Sequence, residues 1–235
     1  EYIKAVLDQR LPMEPVTTLR SGPGHDSVTG FGGLRSASEL RDMLNSGRRV
    51  EECIPDRAYE VFRREILQSR GPVTRDSLEV AMLSRLRMLD RESFNQLPDV
   101  AGGAGNRLYA AVRTEPSLSM VLAKAKTKRY AMSRLRRMAV CAALGLRAGD
   151  AGGTPPYARV LAIGREGRTL LREMQERSQV PIITKPADIS SLDDRCNFIF
   201  SRECAADDLY VLGFPAKSER RGGDTWRSSP YILDK

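Results

Sequence analysis

The densest chemistry in these 235 residues lies between Lys124 and Arg137, where seven of fourteen side chains are basic and none is acidic. The cations are Lys124, Lys126, Lys128, Arg129, Arg134, Arg136 and Arg137, with Tyr130 among them. Such an array neutralises phosphates. Guanidinium planes also stack on unpaired bases, and a tyrosine ring can stack on a base or simply pack. The wider stretch from Arg107 to Arg147 holds ten basic residues and one acid, Glu115, a net +9. The whole chain has 38 Lys and Arg against 30 Asp and Glu, a net +8, so the remainder is close to neutral. One basic segment on a neutral body points to a polyanion partner. The competing reading is a solvated helix face, because Lys and Arg are good surface helix formers. The near absence of acids favours the polyanion.

A second candidate runs from Arg20 to Arg41. Val16-Thr17-Thr18-Leu19-Arg20 reads as a short β-branched strand, and a glycine-rich loop, Ser21-Gly22-Pro23-Gly24-His25-Asp26, follows it. Ser36 stands three residues before Glu39, a capping-box pattern that starts a helix with Leu40, Met43 and Leu44 on its apolar side. A helix N-terminus offers backbone N–H groups and the positive end of a dipole to phosphate. Ser36 and Ser38 add hydroxyls, and Arg20 and Arg41 add guanidinium groups. Many Ser-capped helices are only capped helices, so taken alone this signal is weak.

Other chemistries are poorly supported. The sequence has no G-x-x-x-x-G-K-[ST] loop, and Ser27 interrupts any G-x-G-x-x-G reading after Gly22. The single histidine, His25, excludes multi-histidine metal sites and makes a Ser–His–Asp triad improbable; a polar ligand contact or an ordinary loop histidine remain for it. Cys53, Cys141, Cys196 and Cys204 form no C-x-x-C pair and read as four reduced thiols of a cytoplasmic protein. No metal site is expected, and no apolar run approaches the roughly 18 residues of a membrane-spanning helix.

The elements that must position these residues fall into four stretches. Residues 1–47 hold a first helix stopped by Pro12, then the strand, loop and capped helix, which Gly47 ends. Residues 48–152 read as almost entirely helical, punctuated by Pro55, Gly71-Pro72, Pro98 and Pro116. Within them Thr74 caps a helix bearing Leu78, Met82, Leu86 and Leu89, and 101–105 reads as a flexible joint. The basic run reads as a helix from Arg129. It has Met132, Leu135, Met138, Ala139, Ala142 and Leu146 on one face, Arg134 and Arg137 opposite, and Arg129 and Arg136 along a flank. Residues 153–216 predict a buried strand over 158–163, a helix over 166–177, a strand over 180–184 and a helix around 204–212. That is a small βαβ unit with a parallel strand pair. Residues 217–235 read as a loosely held tail. The chain opens at Glu1, in what reads as the middle of a helix, which suggests a longer protein whose N-terminal part precedes it.

The run Lys126-Thr-Lys-Arg-Tyr130 followed by Arg134-Leu-Arg-Arg137 resembles the K-T-K-R-Y…R-[IL]-x-R signature of the bacterial tRNA(Met) cytidine acetate ligases. Other pieces agree in order: Glu1-Tyr-Ile-Lys-Ala-Val, Leu19-Arg20-Ser-Gly-Pro-Gly-His25-Asp26, Ser36-Ala-Ser-Glu-Leu-Arg41, Gly105-Asn-Arg-Leu108, Pro156-Tyr-Ala-Arg-Val-Leu161 and Ala206-Asp-Asp-Leu-Tyr210. The resemblance implies a mixed α/β, mainly α chain: the end of a Rossmann-like nucleotidyltransferase domain, then a helical RNA-binding domain with the small βαβ unit. It implies an enzyme that activates acetate with ATP, Mg2+ accompanying the nucleotide, and acetylates N4 of the wobble cytidine in elongator tRNA(Met). Arg20, Ser36, Ala37, Ser38 and Arg41 would then line the ATP pocket. Lys124, Lys126, Lys128, Arg129, Tyr130, Arg134, Arg136 and Arg137 would hold tRNA. The family's H-x-G-H motif is absent here, so the catalytic residues are expected upstream of Glu1 and the 235-residue chain alone is expected to be inactive. A non-catalytic RNA-binding module, or a nucleotidyltransferase acting on a small molecule, are the alternatives.

Overall fold

The computed structural model describes residues 2–19, 35–150 and 152–233. The chain forms two compact units, Glu1–Arg63 and Arg64–Lys235. It is mainly helical, with a few short parallel strands.

In the first unit, α1 (Tyr2–Asp8) forms where the apolar spacing predicts it and buries none of its residues. Val16 to Leu19 form no strand, and both Val16 and Leu19 are exposed. A β-branched run becomes a strand only where a neighbour takes its backbone hydrogen bonds, and no strand pairs with it among the described residues. Helix α2 (Ala37–Asn45) starts as expected: the Ser36 hydroxyl accepts the Glu39 N–H at 3.1 Å. Ser46 caps the other end and Gly47 follows in the left-handed region. Helix α3 spans Asp56–Leu67, and Tyr59 donates to Glu51 Oε2 at 2.9 Å.

The second unit begins as a bundle: α4 (Glu79–Met88), α5 (Arg91–Asn95), α6 (Ala104–Thr114), α7 (Leu118–Ala125) and α8 (Met132–Leu144). Leu86, Phe94, Leu108, Val112, Val121, Leu135 and Met138 form its fully buried centre. Thr74 and Ser77 exchange backbone–hydroxyl bonds, Thr74 N–H to Ser77 Oγ at 3.0 Å and Ser77 N–H to Thr74 Oγ1 at 3.2 Å. A 3-10 turn, Asp76–Leu78, then leads into α4. Glu79 of α4 accepts the Leu118 N–H at 2.8 Å, fixing the start of α7. Arginines close the other helix ends: Arg85 donates to Ala143 O at 3.1 Å and Arg87 to Glu115 O at 3.0 Å.

The segment 101–105 is not a flexible joint. Gly102 and Gly103 take positive φ, while Ala104 and Gly105 are buried at the start of α6. A Cβ on Gly105 would collide with the Phe94 carbonyl oxygen and stand 2.7 Å from Asn95 Oδ1, so glycine is what lets α6 approach α5. Gly105→Ala is expected to lower stability by about 1–3 kcal/mol, because overpacking against backbone outweighs the helix-propensity gain. In thermal melts that is about 2–4 °C of lost Tm per kcal/mol for a chain of this size. An unchanged or raised Tm would refute the close approach.

The βαβ unit forms with shorter strands. Strand β1 (Ala158–Arg159) pairs in parallel with β3 (Ile182–Ile183) across α9 (Gly167–Arg177). The expected single buried strand over 158–163 is instead two pieces. The second, β2 (Ala162–Gly164), turns to another partner, and Leu161 between them is exposed. That partner is β4 (Tyr231–Leu233), again parallel, so the C-terminal stretch is not a loose tail. Its polar composition supplies partners for the acids of α10 (Asp194–Val211), a helix that starts earlier than the sequence suggested because Asp193 caps it. The Thr225 hydroxyl donates to Asp207, the Gly223 N–H to Asp208 Oδ1 at 2.7 Å, and Trp226 in the short α11 (Asp224–Arg227) meets Phe200 edge-on at 4.8 Å. Cys196 and Cys204 lie in this smaller core with Tyr157, Ile183 and Ile189, and burial raises the pKa of both thiols.

Two N-caps make the fold acid-sensitive. Hydrogen bonds from the Ser93 hydroxyl and N–H lower the Asp90 carboxyl, and the Cys196 N–H lowers that of Asp193. The folded pKa lies below the unfolded one in both cases. Their contribution is therefore present above the unfolded value and is lost as pH falls through the folded value. Tm is expected to drop on acidification below about pH 4, and less steeply in Asp193→Asn. Parallel melting curves for the two proteins between acidic and neutral pH would contradict this.

Candidate nucleic-acid interface

The basic run is built on α8. Its apolar face is buried as the periodicity requires, through Leu135, Met138, Ala139 and Ala142, while Met132 and Leu146 are half-buried. The helix begins at Met132 rather than Arg129. The preceding residues form a tight turn instead, with an isolated bridge between Thr127 and Tyr130 and the Arg129 N–H on Thr127 Oγ1 at 3.2 Å. Tyr130 anchors that turn. Its ring is buried and its hydroxyl donates to the Gly102 carbonyl oxygen. A Cβ on Gly102 would stand 3.1 Å from that hydroxyl and 3.3 Å from Arg129 Nη1. A ring so covered has no open face for a base, so of the two roles open to it, stacking or packing, Tyr130 packs.

The cations divide into two groups. Lys124 is spent on Glu115 Oε1 at 2.5 Å and Thr114 Oγ1 at 3.0 Å, and that bond lowers the Glu115 pKa. Arg134 folds back to the Asp99 carbonyl oxygen, with its Nε at 2.8 Å, and Arg137 pairs with Asp99 Oδ2 at 2.9 Å. Arg107 donates to Lys124 O at 3.3 Å, at the C-terminal end of α7. Asp99, with φ 62°, thus holds two of the expected RNA contacts. Its residue type is the one local sign of this, since Asp is among the few non-glycine residues that tolerate this conformation. Lys126, Lys128, Arg129 and Arg136 are exposed, and their charged side-chain groups have no ion-pair or hydrogen-bond partner among the described residues.

At the other candidate, Arg20 and His25 lie outside the described residues. Ser36 is buried and its hydroxyl is engaged in capping, whereas Ala37, Ser38 and Arg41 are exposed in the first turns of α2. The N–H groups of Ala37 and Ser38 have no intrahelical acceptor, which with the Arg41 guanidinium suits a phosphate. Glu39 shares this end. Its Oε1 takes Arg35 at 2.6 Å, while its buried Oε2 has no hydrogen-bond partner among the described residues. A bare carboxylate oxygen repels phosphate and accepts a hydroxyl or amine, so the end fits a nucleotide only if a sugar or base donor meets Glu39. No group of three or more His, Cys, Asp or Glu that could hold a metal occurs among the described residues, and none of their helices is long and apolar enough to cross a membrane.

The chain belongs to the HIGH Nucleotidyl Transferase family, whose model matches residues 1–225. Its relatives narrow this further. The tRNA(Met) cytidine acetate ligase of Thermosipho melanesiensis is 28% identical, over 97% of this chain and 58% of its own length. The protein of that name from Caldicellulosiruptor saccharolyticus is 29% identical over 91% of this chain and 54% of its own. The crystal structure of apo Thermotoga maritima TmcAL aligns with a TM-score of 0.88 at 24% identity, covering 100% of this chain and 59% of that one. The same protein bound with alpha-thio ATP aligns at 0.79, covering 87% and 53%. At this identity the likeness is one of fold. The chain spans a little under three fifths of the length of the relatives it matches.

Proposed function

We propose that this chain is the tRNA-holding part, with one wall of the ATP site, of a cytoplasmic tRNA(Met) cytidine acetate ligase. In the reaction, an acetate oxygen attacks the α-phosphorus of ATP and pyrophosphate leaves. N4 of the wobble cytidine of elongator tRNA(Met) then attacks the acetyl carbon, releasing AMP and a proton. Mg2+ would accompany ATP. Arg20, Ala37, Ser38 and Arg41 stabilise charge at the phosphates, Ser36 holds the helix end that presents the N–H groups, and helices α4–α8 form the RNA-binding body. The carrying observation is the set of four exposed, unpartnered cations, Lys126, Lys128, Arg129 and Arg136, on a packed helical base. The relatives' shared name supports the tRNA substrate.

The test uses two assays on the 235-residue chain. Binding of tRNA should fall steeply with salt, by a log–log slope of about −0.9 for each phosphate contacted on duplex and −0.7 on single strands. Acetate-dependent pyrophosphate exchange should be absent, because the sequence carries no H-x-G-H. Salt-insensitive or undetectable tRNA binding would favour a nucleotidyltransferase for small molecules. Exchange by the chain alone would overturn the assignment of catalysis to residues outside it.

A further inference from the structure

We propose that an apolar cleft between α4, α7 and α8 receives one unpaired base of the bound RNA, with Arg75 and Arg136 on the phosphates beside it. The inference rests on reading the α8 surface as an RNA contact. The cleft has a volume of about 260 Å³ and is lined by the buried Met82, Leu118, Leu122 and Ala139 and by the two exposed arginines. That is slightly below the roughly 300–1,000 Å³ of pockets for drug-sized ligands, a size suited to one flat ring system. It is braced from both sides. The Leu118 N–H bond to Glu79 fixes α7 on α4, and the Arg85 bond to Ala143 O fixes α4 on α8.

Charge decides the occupant. No acid lines the cleft, and neither the Arg75 nor the Arg136 guanidinium has an ion-pair or hydrogen-bond partner among the described residues. An apolar protein segment laid here would bury two guanidinium groups without counter-charges, which is costly. A free anion would leave the apolar wall unused, and a duplex keeps its bases stacked. An unpaired nucleotide satisfies both features, its base face against the aliphatic wall and its phosphates against the arginines. Arg136 belongs both to the cleft lining and to the basic run.

The test compares the affinity of the full chain for a short oligouridine and for an RNA duplex of equal length. Ala139→Leu fills the cleft and is expected to weaken oligouridine binding about fivefold, the loss when roughly 40 Å² of apolar contact is removed, with duplex affinity unchanged. Arg75→Ala, an exposed site that does not threaten folding, is expected to weaken oligouridine more than duplex. It keeps the test open should Ala139→Leu unfold the protein. Equal losses on both RNAs would make Arg75 an ordinary phosphate contact and overturn the proposal. So would a changed oligomeric state in Ala139→Leu, which would mark a protein interface. If neither variant has an effect while Lys126→Ala with Lys128→Ala weakens both RNAs, the cleft assignment fails and the RNA-binding surface stands. If the lysine variant is also silent, the surface itself has been misread.

Discussion

Replacing Lys126, Lys128 and Arg129 together with Ala is expected to lower tRNA affinity about 100- to 500-fold at 0.1 M salt and to flatten the log–log salt slope by about 2–3. Each phosphate contact contributes a slope of about −0.7 to −0.9, which between 1 M and 0.1 M salt is roughly five- to eightfold. The three side chains qualify because nothing in the described structure competes for them. Arg134→Ala with Arg137→Ala, which removes as dense a pair of charges by sequence, should change the slope less, because Arg137 is already paired with the Asp99 carboxylate while Arg134 is held on the Asp99 carbonyl oxygen. The exposed Arg137–Asp99 pair adds little to stability. The measurement is tRNA titration across salt for wild type and both variants. Equal slopes in all three would mean that the basic run is a solvated surface and no RNA interface.

That contrast marks where the sequence is informative and where it stops. The period of Leu135, Met138, Ala139 and Ala142 is a local property of one helix, so the buried face of α8 follows from spacing alone. The fate of the arginines on its other side depends on Asp99, which precedes them by more than thirty residues and meets them only through the bundle. Charge density therefore predicts a polyanion surface and overstates its membership. Tyr130 shows the same limit: a tyrosine among cations can stack or pack, and what decides it is the Gly102 carbonyl, 28 residues away. The Ser36 cap was legible because its partner, Glu39, is three residues away. The β2–β4 pairing was not, because Gly-, Ser- and Arg-rich composition is equally that of a tail and of a segment stitched down by Asp207 and Asp208.

Arg20→Ala, in a chain that also carries the histidine motif, is expected to slow acetyl-adenylate formation about 10- to 150-fold while leaving tRNA affinity nearly intact. On the proposed reading Arg20 meets an ATP phosphate, and charge-assisted hydrogen bonds of this kind are worth roughly 1.5–3 kcal/mol. If the contact is made in the transition state, the whole of that loss appears in the rate. Arg20 is the residue to change rather than Ser36, although both belong to the same candidate site between residues 20 and 41. The Ser36 hydroxyl already accepts the Glu39 N–H, so Ser36→Ala removes a helix cap, worth about 1 kcal/mol of stability, and acts on the nucleotide only through the helix end. The basic run is a separate contact, so Lys126→Ala with Lys128→Ala should do the reverse of Arg20→Ala, sparing adenylation and weakening tRNA. Two assays on both variants separate them: pyrophosphate exchange without tRNA, and tRNA binding without ATP. Should Arg20→Ala lose tRNA binding and keep exchange, the loop before α2 would belong to the RNA and the α2 end would be only a capped helix.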